Sequence, residues 1–262
     1  MHIVVCIKQV PDTTDVKIDR ETNTLIRSGV ESIINPYDVH ALEEALRLKE
    51  KHGGKVTAIS MGPGQVKDAL KEAVSLGVDD VILISDRKFA GADTLATSYT
   101  LATAIKKMEQ VDLIMCGKQA IDGDTAQVGP GIAEELELPH TTYVQNIIEV
   151  ENDQITVERE TETGYEVIQM KLPALITTLK KINEPRLPSI RGTLRAREIE
   201  IPVWSVDDLA DIEQDKIGLD GSPTQVVSVD TPELKGAGTL FTGEPKEQVN
   251  KLLDALSEQQ VF

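Results

Sequence analysis

Aromatic side chains are scarce: one Trp, four Tyr and three Phe make up 3% of the chain. Binding of nucleic acid by base stacking therefore has little to work with. A formal net charge of −17 also opposes phosphate backbones and anionic lipid surfaces. Cysteine is nearly absent. Cys6 and Cys116 each sit in an apolar run without a CxxC partner, which argues against a disulfide framework or a thiolate metal site. They read as two small buried hydrophobes in a reducing compartment. No apolar run is long enough to span a bilayer. No basic region precedes the first strand-like run at Ile3, so a cytoplasmic protein without membrane insertion is expected.

Several chemical motifs are missing as well. No GxGxxG follows a strand, no GxxxxGK[ST] occurs, and HExxH and GxSxG are absent. The four histidines (His2, His40, His52, His140) are scattered. No catalytic set and no metal site is visible, which favours a cofactor carrier over a hydrolase or transferase.

What is present is ordinary globular composition, 40% hydrophobic and 27% charged over 262 residues, enough for one large or two small domains. The chain is organised around Val111–Leu136. A short apolar run (Val111, Leu113, Ile114, Met115, Cys116) reads as a strand buried on both faces. It passes through Gly117 into the polar loop GKQAIDGDT, and a helix is expected to start at Asp124 or Thr125, both good N-caps. Strand, small-residue loop and helix N-terminus together form an anion site suited to a phosphate-bearing ligand.

The rest of the chain repeats that alternation. His2–Val10 is the first buried strand, and residues 11–29 read as a polar hairpin excursion around Val16, Ile18, Leu25 and Ile26. Asn35 caps a helix with Pro36 at its first position, and Glu43 and Arg47 pair on its outer face. Strands at Val56–Ser60 and Val81–Ile84 follow, with helices before and after the second, the later one capped by Asp93 or Thr94. Such alternation predicts an α/β, doubly wound, mostly parallel Rossmann-like sheet with ligands at the carboxyl ends of its strands. After Pro139 three segments separated by Asn152-Asp153 and Thr163-Gly164 read as an antiparallel meander, and Leu172–Leu179 as a buried strand. Residues 183–192, with two prolines and two arginines, read as a stiffened, exposed loop. From Pro202 the segments are short until a final amphipathic helix, Val249–Leu256. This tail either lies back on the domain or wraps a partner.

Five places should converge on the ligand: Cys6 at the end of the first strand, Asn35 to Asp38, Met61-Gly62, Asp93 to Thr97 (with Thr94) and the main loop from Gln119 to Gly129. The last includes Gly123, Asp124, Thr125, Gln127 and Val128. Singly, each is a routine cap or turn residue.

The blocks VCIKQVPDT, INPYDVHALEEALRLKE, ISMGPGQ, CGKQAIDGDTAQVGPGIAE and LPALITTLKKINEPR resemble, in order, the beta subunit of electron transfer flavoproteins, from Ile3 to about Arg197. The resemblance implies a heterodimer with an alpha subunit that carries its own FAD, and an adenine nucleotide alpha hydrolase-like fold. It implies a domain over 1–204 and a C-terminal arm, 205–262, packed on the alpha subunit. The family's beta pocket holds AMP or a second FAD. The run DRKFAGADTLAT, Asp86 to Thr97, resembles the electron-bifurcating branch, in which beta FAD accepts hydride from NADH. One electron then goes to ferredoxin or flavodoxin and the other, through the alpha FAD, to a flavin dehydrogenase of the acyl-CoA dehydrogenase type or similar. Small Gly91 and Ala92 would leave room for a ring, with Asp93, Thr94 and Thr97 at the flavin edge. The resemblance further makes 183–197 a partner recognition loop with Ile190 as apolar anchor beside Arg186 and Arg191. An ATP-using enzyme of the same fold would carry SGGxDS after the first strand, where KQVPDT stands. A stress-type nucleotide-binding protein would not account for NEPR.

Overall fold

A continuous apolar run is the signature of a strand covered on both faces, and β1 (His2–Cys6) is buried at every position. The computed structural model describes residues 1–12, 32–227 and 238–259, together with the backbone of two short strands between 18 and 25. In chain order β1 is followed by β2 (Gln9–Pro11), β3 (Ile18–Asp19), β4 (Thr24–Leu25), β5 (Ser32–Ile34), α1 (Pro36–His52), β6 (Lys55–Met61), α2 (Lys67–Leu76) and β7 (Asp80–Ile84). Then come α3 (Thr94–Lys106), β8 (Leu113–Gly117), α4 (Val128–Glu135), β9 (His140–Glu151), β10 (Gln154–Thr161), β11 (Gly164–Lys171), β12 (Ala174–Thr178), α5 (Ile190–Glu198), β13 (Val203–Trp204) and α6 (Pro245–Glu258).

Nine strands form one sheet in the order β11-β10-β9-β12-β8-β1-β6-β7-β13. From β9 through β13 every pairing is parallel, and only the β9-β10-β11 meander is antiparallel. The Asn152-Asp153 turn of that meander has positive φ at both residues (50° and 59°), as a tight hairpin turn requires. The doubly wound expectation therefore holds. Along β1, Ile3 and Val5 face one layer with Leu42 and Leu46 of α1 and Leu70 and Val74 of α2. Val4 and Cys6 face the other, with Leu101 and Ile105 of α3 and Ile132 of α4. The period of two places alternate residues in two separate cores. Each fully buried aliphatic side chain contributes about 1.5–3 kcal/mol.

Four expectations need correction or sharpening. First, α4 starts at Val128, not at Asp124 or Thr125: Asp124 (φ 49°) and Ala126 (φ 55°) adopt left-handed backbone that cannot open a right-handed helix. Second, Glu43 pairs with Arg47 but is buried, not on the outer face. Third, the stiffened loop ends at Ser189, whose hydroxyl accepts the N–H of Gly192 (2.9 Å) and starts α5. Fourth, residues 205–227 lie back on the domain. Val206, Leu209 and Ile217 are buried in the α3–α4 core, and the Tyr99 hydroxyl accepts the Glu213 N–H at 2.9 Å.

The excursion expected at 11–29 contains one antiparallel pairing, Ile18 with Leu25 and Asp19 with Thr24; Val16 and Ile26 lie outside the described residues. Two compact units result, Met1–Val227 and Ser228–Phe262. In the second, α6 begins with Pro245 in its first turn and leaves Val249, Leu252 and Leu253 exposed on one stripe. Among the described residues no helix is long and apolar enough to cross a membrane.

A glycine in α5 supplies the first test. A Cβ on Gly192 would overlap the Ser75 carbonyl at the end of α2. Helix propensity alone favours Gly192→Ala by about 1 kcal/mol. We expect the clash to win, so that the variant loses about 1–3 kcal/mol in urea denaturation; a gain in stability would contradict this packing.

Candidate functional site

Strand order reverses at β1: the chain leaves it through α1 toward β6 and β7, then returns through α3 to β8 on its other side. The crevice between the carboxyl ends of β1 and β8 is thus the topological switch point, where ligands bind in open parallel sheets. Asp38, in the first turn of α1, spans it. Its Oδ2 accepts the N–H of Lys8 (2.8 Å) and its Oδ1 accepts the N–H of Gly117 (3.0 Å). A Cβ on Gly117 would overlap Asp38 Oδ1 and Tyr37, so only glycine allows this approach.

Asn35 is fully buried and stands at the helix N-cap, but its side chain caps nothing. Its Nδ2 donates to the Gln119 carbonyl (2.9 Å), and its Oδ1 accepts the N–H of Ile121 (3.2 Å). The main loop is therefore pinned to the floor. Lys8 Nζ holds Asp122 (2.7 Å) and Gln119 Nε2 holds Asp124 (2.6 Å), so both acidic side chains of the loop are already partnered. At the far end Gln127 precedes α4 without capping it by a side chain, while Thr94 Oγ1 donates to Gln127 Oε1 (2.8 Å) and draws the start of α3 alongside. A Cβ on Gly129 would sit 2.6 Å from Thr177 Cγ2, so that glycine lets α4 press onto β12.

The first turn of α4 thus offers N–H groups with no side-chain acceptor, the arrangement that favours an anion. The donor set, partnered acids and open helix N-terminus fit the phosphate end of a nucleotide cofactor. Among the described residues no three metal-ligating side chains come together.

The expected site residues divide in two. Met61, Gly62, Thr94, Thr97, Gln119, Gly123, Asp124, Thr125, Gln127, Val128 and Gly129 belong to strand ends, helix starts or the loop around the crevice. Asn35, Asp38 and Cys6 form its floor with buried side chains. Cys6 and Cys116 are free, buried and in register on neighbouring strands; hydrogen bonding with the Cys6 thiol and burial push the Cys116 thiol upward.

Asp93 is also engaged within the chain. Its Oδ1 accepts the N–H groups of Leu95 and Ala96, and its Oδ2 accepts from the Thr224 N–H (3.1 Å) and hydroxyl (2.8 Å). Burial pushes its pKa up, but these hydrogen bonds outweigh burial and hold it below the usual value. Gly91 (φ 76°) does not open space as expected, because a Cβ there would meet Leu219 at 2.6 Å. Arg186, Ile190 and Arg191 lie apart from the crevice, before and on α5. Sequence reasoning missed Lys8, Asp122 and a cationic–aromatic cluster: Lys118 Nζ lies 5.1 Å from the Tyr143 ring and Lys180 Nζ 4.8 Å from Tyr37. Only Lys118, directly after the strand-ending glycine, carried a positional signal.

The chain matches the electron transfer flavoprotein domain over residues 22–209. It is 53% identical over 263 residues to the electron transfer flavoprotein subunit beta of Thermoanaerobacterium thermosaccharolyticum, covering 100% of both chains. It is 50% identical over 273 residues to that of Megasphaera elsdenii, again covering 100% of both. Against the caffeyl-CoA reductase-Etf complex subunit CarD of Acetobacterium woodii it is 47% identical over 264 residues, with 100% of each covered. The chain belongs to the electron transfer flavoprotein family, among its beta subunits.

Asp38 makes the floor testable by pH. Burial raises its pKa to about 7, against the pull of Asn35 and the two amides. The folded chain then holds a proton that the unfolded chain has lost between roughly pH 4 and pH 7, so stability falls as pH rises through that window. Asp38→Asn lacks this slope. The gap in urea midpoint between variant and wild type is expected to narrow from about pH 5 to about pH 8; a constant gap would contradict the assignment.

Proposed function

We propose that this beta subunit works in the cytoplasm as half of a heterodimeric, electron-bifurcating electron transfer flavoprotein, and that its switch-point crevice holds FAD. The observation that carries the reading is the first turn of α4, uncapped by any side chain and set beside Thr94 and Gln127 with the loop acids partnered away. The run Asp86 to Thr97, similar to the bifurcating branch, supports FAD over AMP.

Bound FAD would supply the redox chemistry, accepting hydride from NADH and releasing one electron toward ferredoxin or flavodoxin and one, by the alpha-subunit flavin, toward a dehydrogenase. The chain's own residues bind and orient. Main-chain N–H groups of Val128 and Gly129 would meet the phosphates with Gln127 and Thr125 beside them, while Thr94 and Thr97 would lie toward the flavin edge. Met61-Gly62 would form the opposite wall, and Gly123 would allow close approach of the loop. Asn35 and Asp38 keep floor and loop in register. No side chain is required as acid or base.

The alpha subunit is the obligatory partner in this reading, and the exposed stripe of α6 would pack on it. A relative named as part of a caffeyl-CoA reductase complex supports a flavin dehydrogenase acting on a CoA thioester as electron partner. A second reading, structural AMP, is favoured by two observations: Leu219 packs against Gly91, and Asp93 is fully engaged within the chain.

NADH added without oxygen to the purified heterodimer is expected to bleach its flavin absorbance; absorbance untouched by NADH would contradict the hydride-accepting role. The loop has its own test. A Cβ on Gly123 meets no atom within 4 Å, so Gly123→Ala leaves the fold intact. Loss of retained nucleotide by about tenfold is expected, because the methyl intrudes only on a ligand. Full retention would show that the loop does not wrap it.

A further inference from the structure

The segment that would dock the dehydrogenase is itself gripped by α1. We infer that Glu43 is the positioning residue that holds this segment in its docking pose, an inference that rests on the docking role read for Ile190. Ile190 (85% exposed) and Leu194 (55%), four residues apart on α5, form an exposed apolar stripe, with Leu187 (87%) exposed in the loop just before it. A stripe so exposed needs something beneath it to fix its direction.

Glu43 supplies that, from a side chain only 4% exposed. Its Oε2 accepts the Arg186 Nε (2.7 Å) and the Arg186 main-chain N–H (3.1 Å), and its Oε1 accepts the Arg47 Nε (2.6 Å). Arg47 in turn donates to the Glu184 carbonyl (2.9 Å), and Asn183 donates to the His40 carbonyl (3.0 Å) and Glu44 (2.9 Å). Three successive parts of the segment are thus tied to one helix. Burial pushes Glu43 toward its neutral form, but the bonds from Arg186 and Arg47 win and keep its pKa below the usual value.

Glu50 also holds Arg186 (2.5 Å), yet its carboxylate is mostly exposed, where an ion pair contributes little. Removing the Glu43 charge instead takes a buried acceptor away from the half-buried Arg186, from Arg47 and from one main-chain N–H, leaving Arg186 only its exposed pair with Glu50. Arg186 therefore serves the scaffold. Arg195 does too, donating to the Val78 and Asp79 carbonyls. Arg191 and Arg197 remain as the exposed cations beside the stripe. Holding the stripe in one conformation removes part of the ordering cost of binding.

The test is amide hydrogen exchange on the intact heterodimer, joined to electron transfer titrated with an acyl-CoA dehydrogenase. Glu43→Gln is expected to speed exchange over residues 186–198 by about tenfold and to raise the KM for the dehydrogenase with kcat kept. Residues 117–131 should exchange as before. Glu50→Gln should change exchange by less than about twofold. Should Glu43→Gln not assemble, Arg186→Lys, which keeps charge but loses the fork, carries the same expectation. Unchanged exchange over 186–198 in the variant that assembles overturns the inference. Ile190→Ala separates the premise: it should raise KM without altering exchange. An unchanged KM there would refute the docking role, while the exchange result still decides whether Glu43 holds the segment.

Discussion

The carboxylate of Asp38 accepts the N–H of Lys8 on one side and of Gly117 on the other, and the two strand ends that define the crevice depend on it. A parallel sheet cannot satisfy the last amides of both strands once they part at a switch point. One of the described side chains must supply the acceptors, and a short carboxylate on the first turn of α1 reaches both. Everything nearer the ligand is built on this floor. Asn35 pins the loop to it, Lys8 then reaches Asp122, and the loop arrives at α4 with its helix terminus open.

The same helix serves two ends of the molecule. α1 starts at the crevice with Asn35 and Asp38 and continues to Glu43, Arg47 and Glu50, which grip the segment before α5. At 1.5 Å rise per residue, Asp38 and Glu50 stand roughly 18 Å apart along its axis. The crevice floor and the segment before α5 are therefore referred to one rigid element, which would suit the proposed carrier, held at a set distance from a docking partner. The acidic surface is consistent with that division of labour: the acids that matter for shape are turned inward and paired, and the rest of the −17 charge is left to solvent.

Much of the fold was legible in the residues. Short unbroken apolar runs such as Ile3–Ile7 and Leu113–Cys116, bounded by turn residues, read as strands buried on both faces, and Asn35-Pro36 and Asp93 mark helix starts by residue type. The site was legible as a place, since alternating strands and helices put ligands at strand ends. Its side-chain roles were not. Asn, Asp and Ser have the same short polar reach whether they cap their own helix or a distant main chain, and Asn35 and Asp38 do the latter. The start of α4 is not legible because Asp124 and Ala126 take left-handed backbone, in a loop whose Gln119 carbonyl and Ile121 N–H are held by Asn35, more than 80 residues earlier in the chain. α5 was hidden behind Pro185 and Pro188, and Glu43 read as a surface partner of Arg47 because Arg186 lies 143 residues further on.

The proposed role of the open helix terminus and pinned loop is to hold FAD in the beta subunit, with a second FAD in the alpha subunit. The most direct measurement is to purify the heterodimer, denature it and count the released ligands. Two FAD and no AMP per heterodimer is the predicted result; one FAD with one AMP would contradict it.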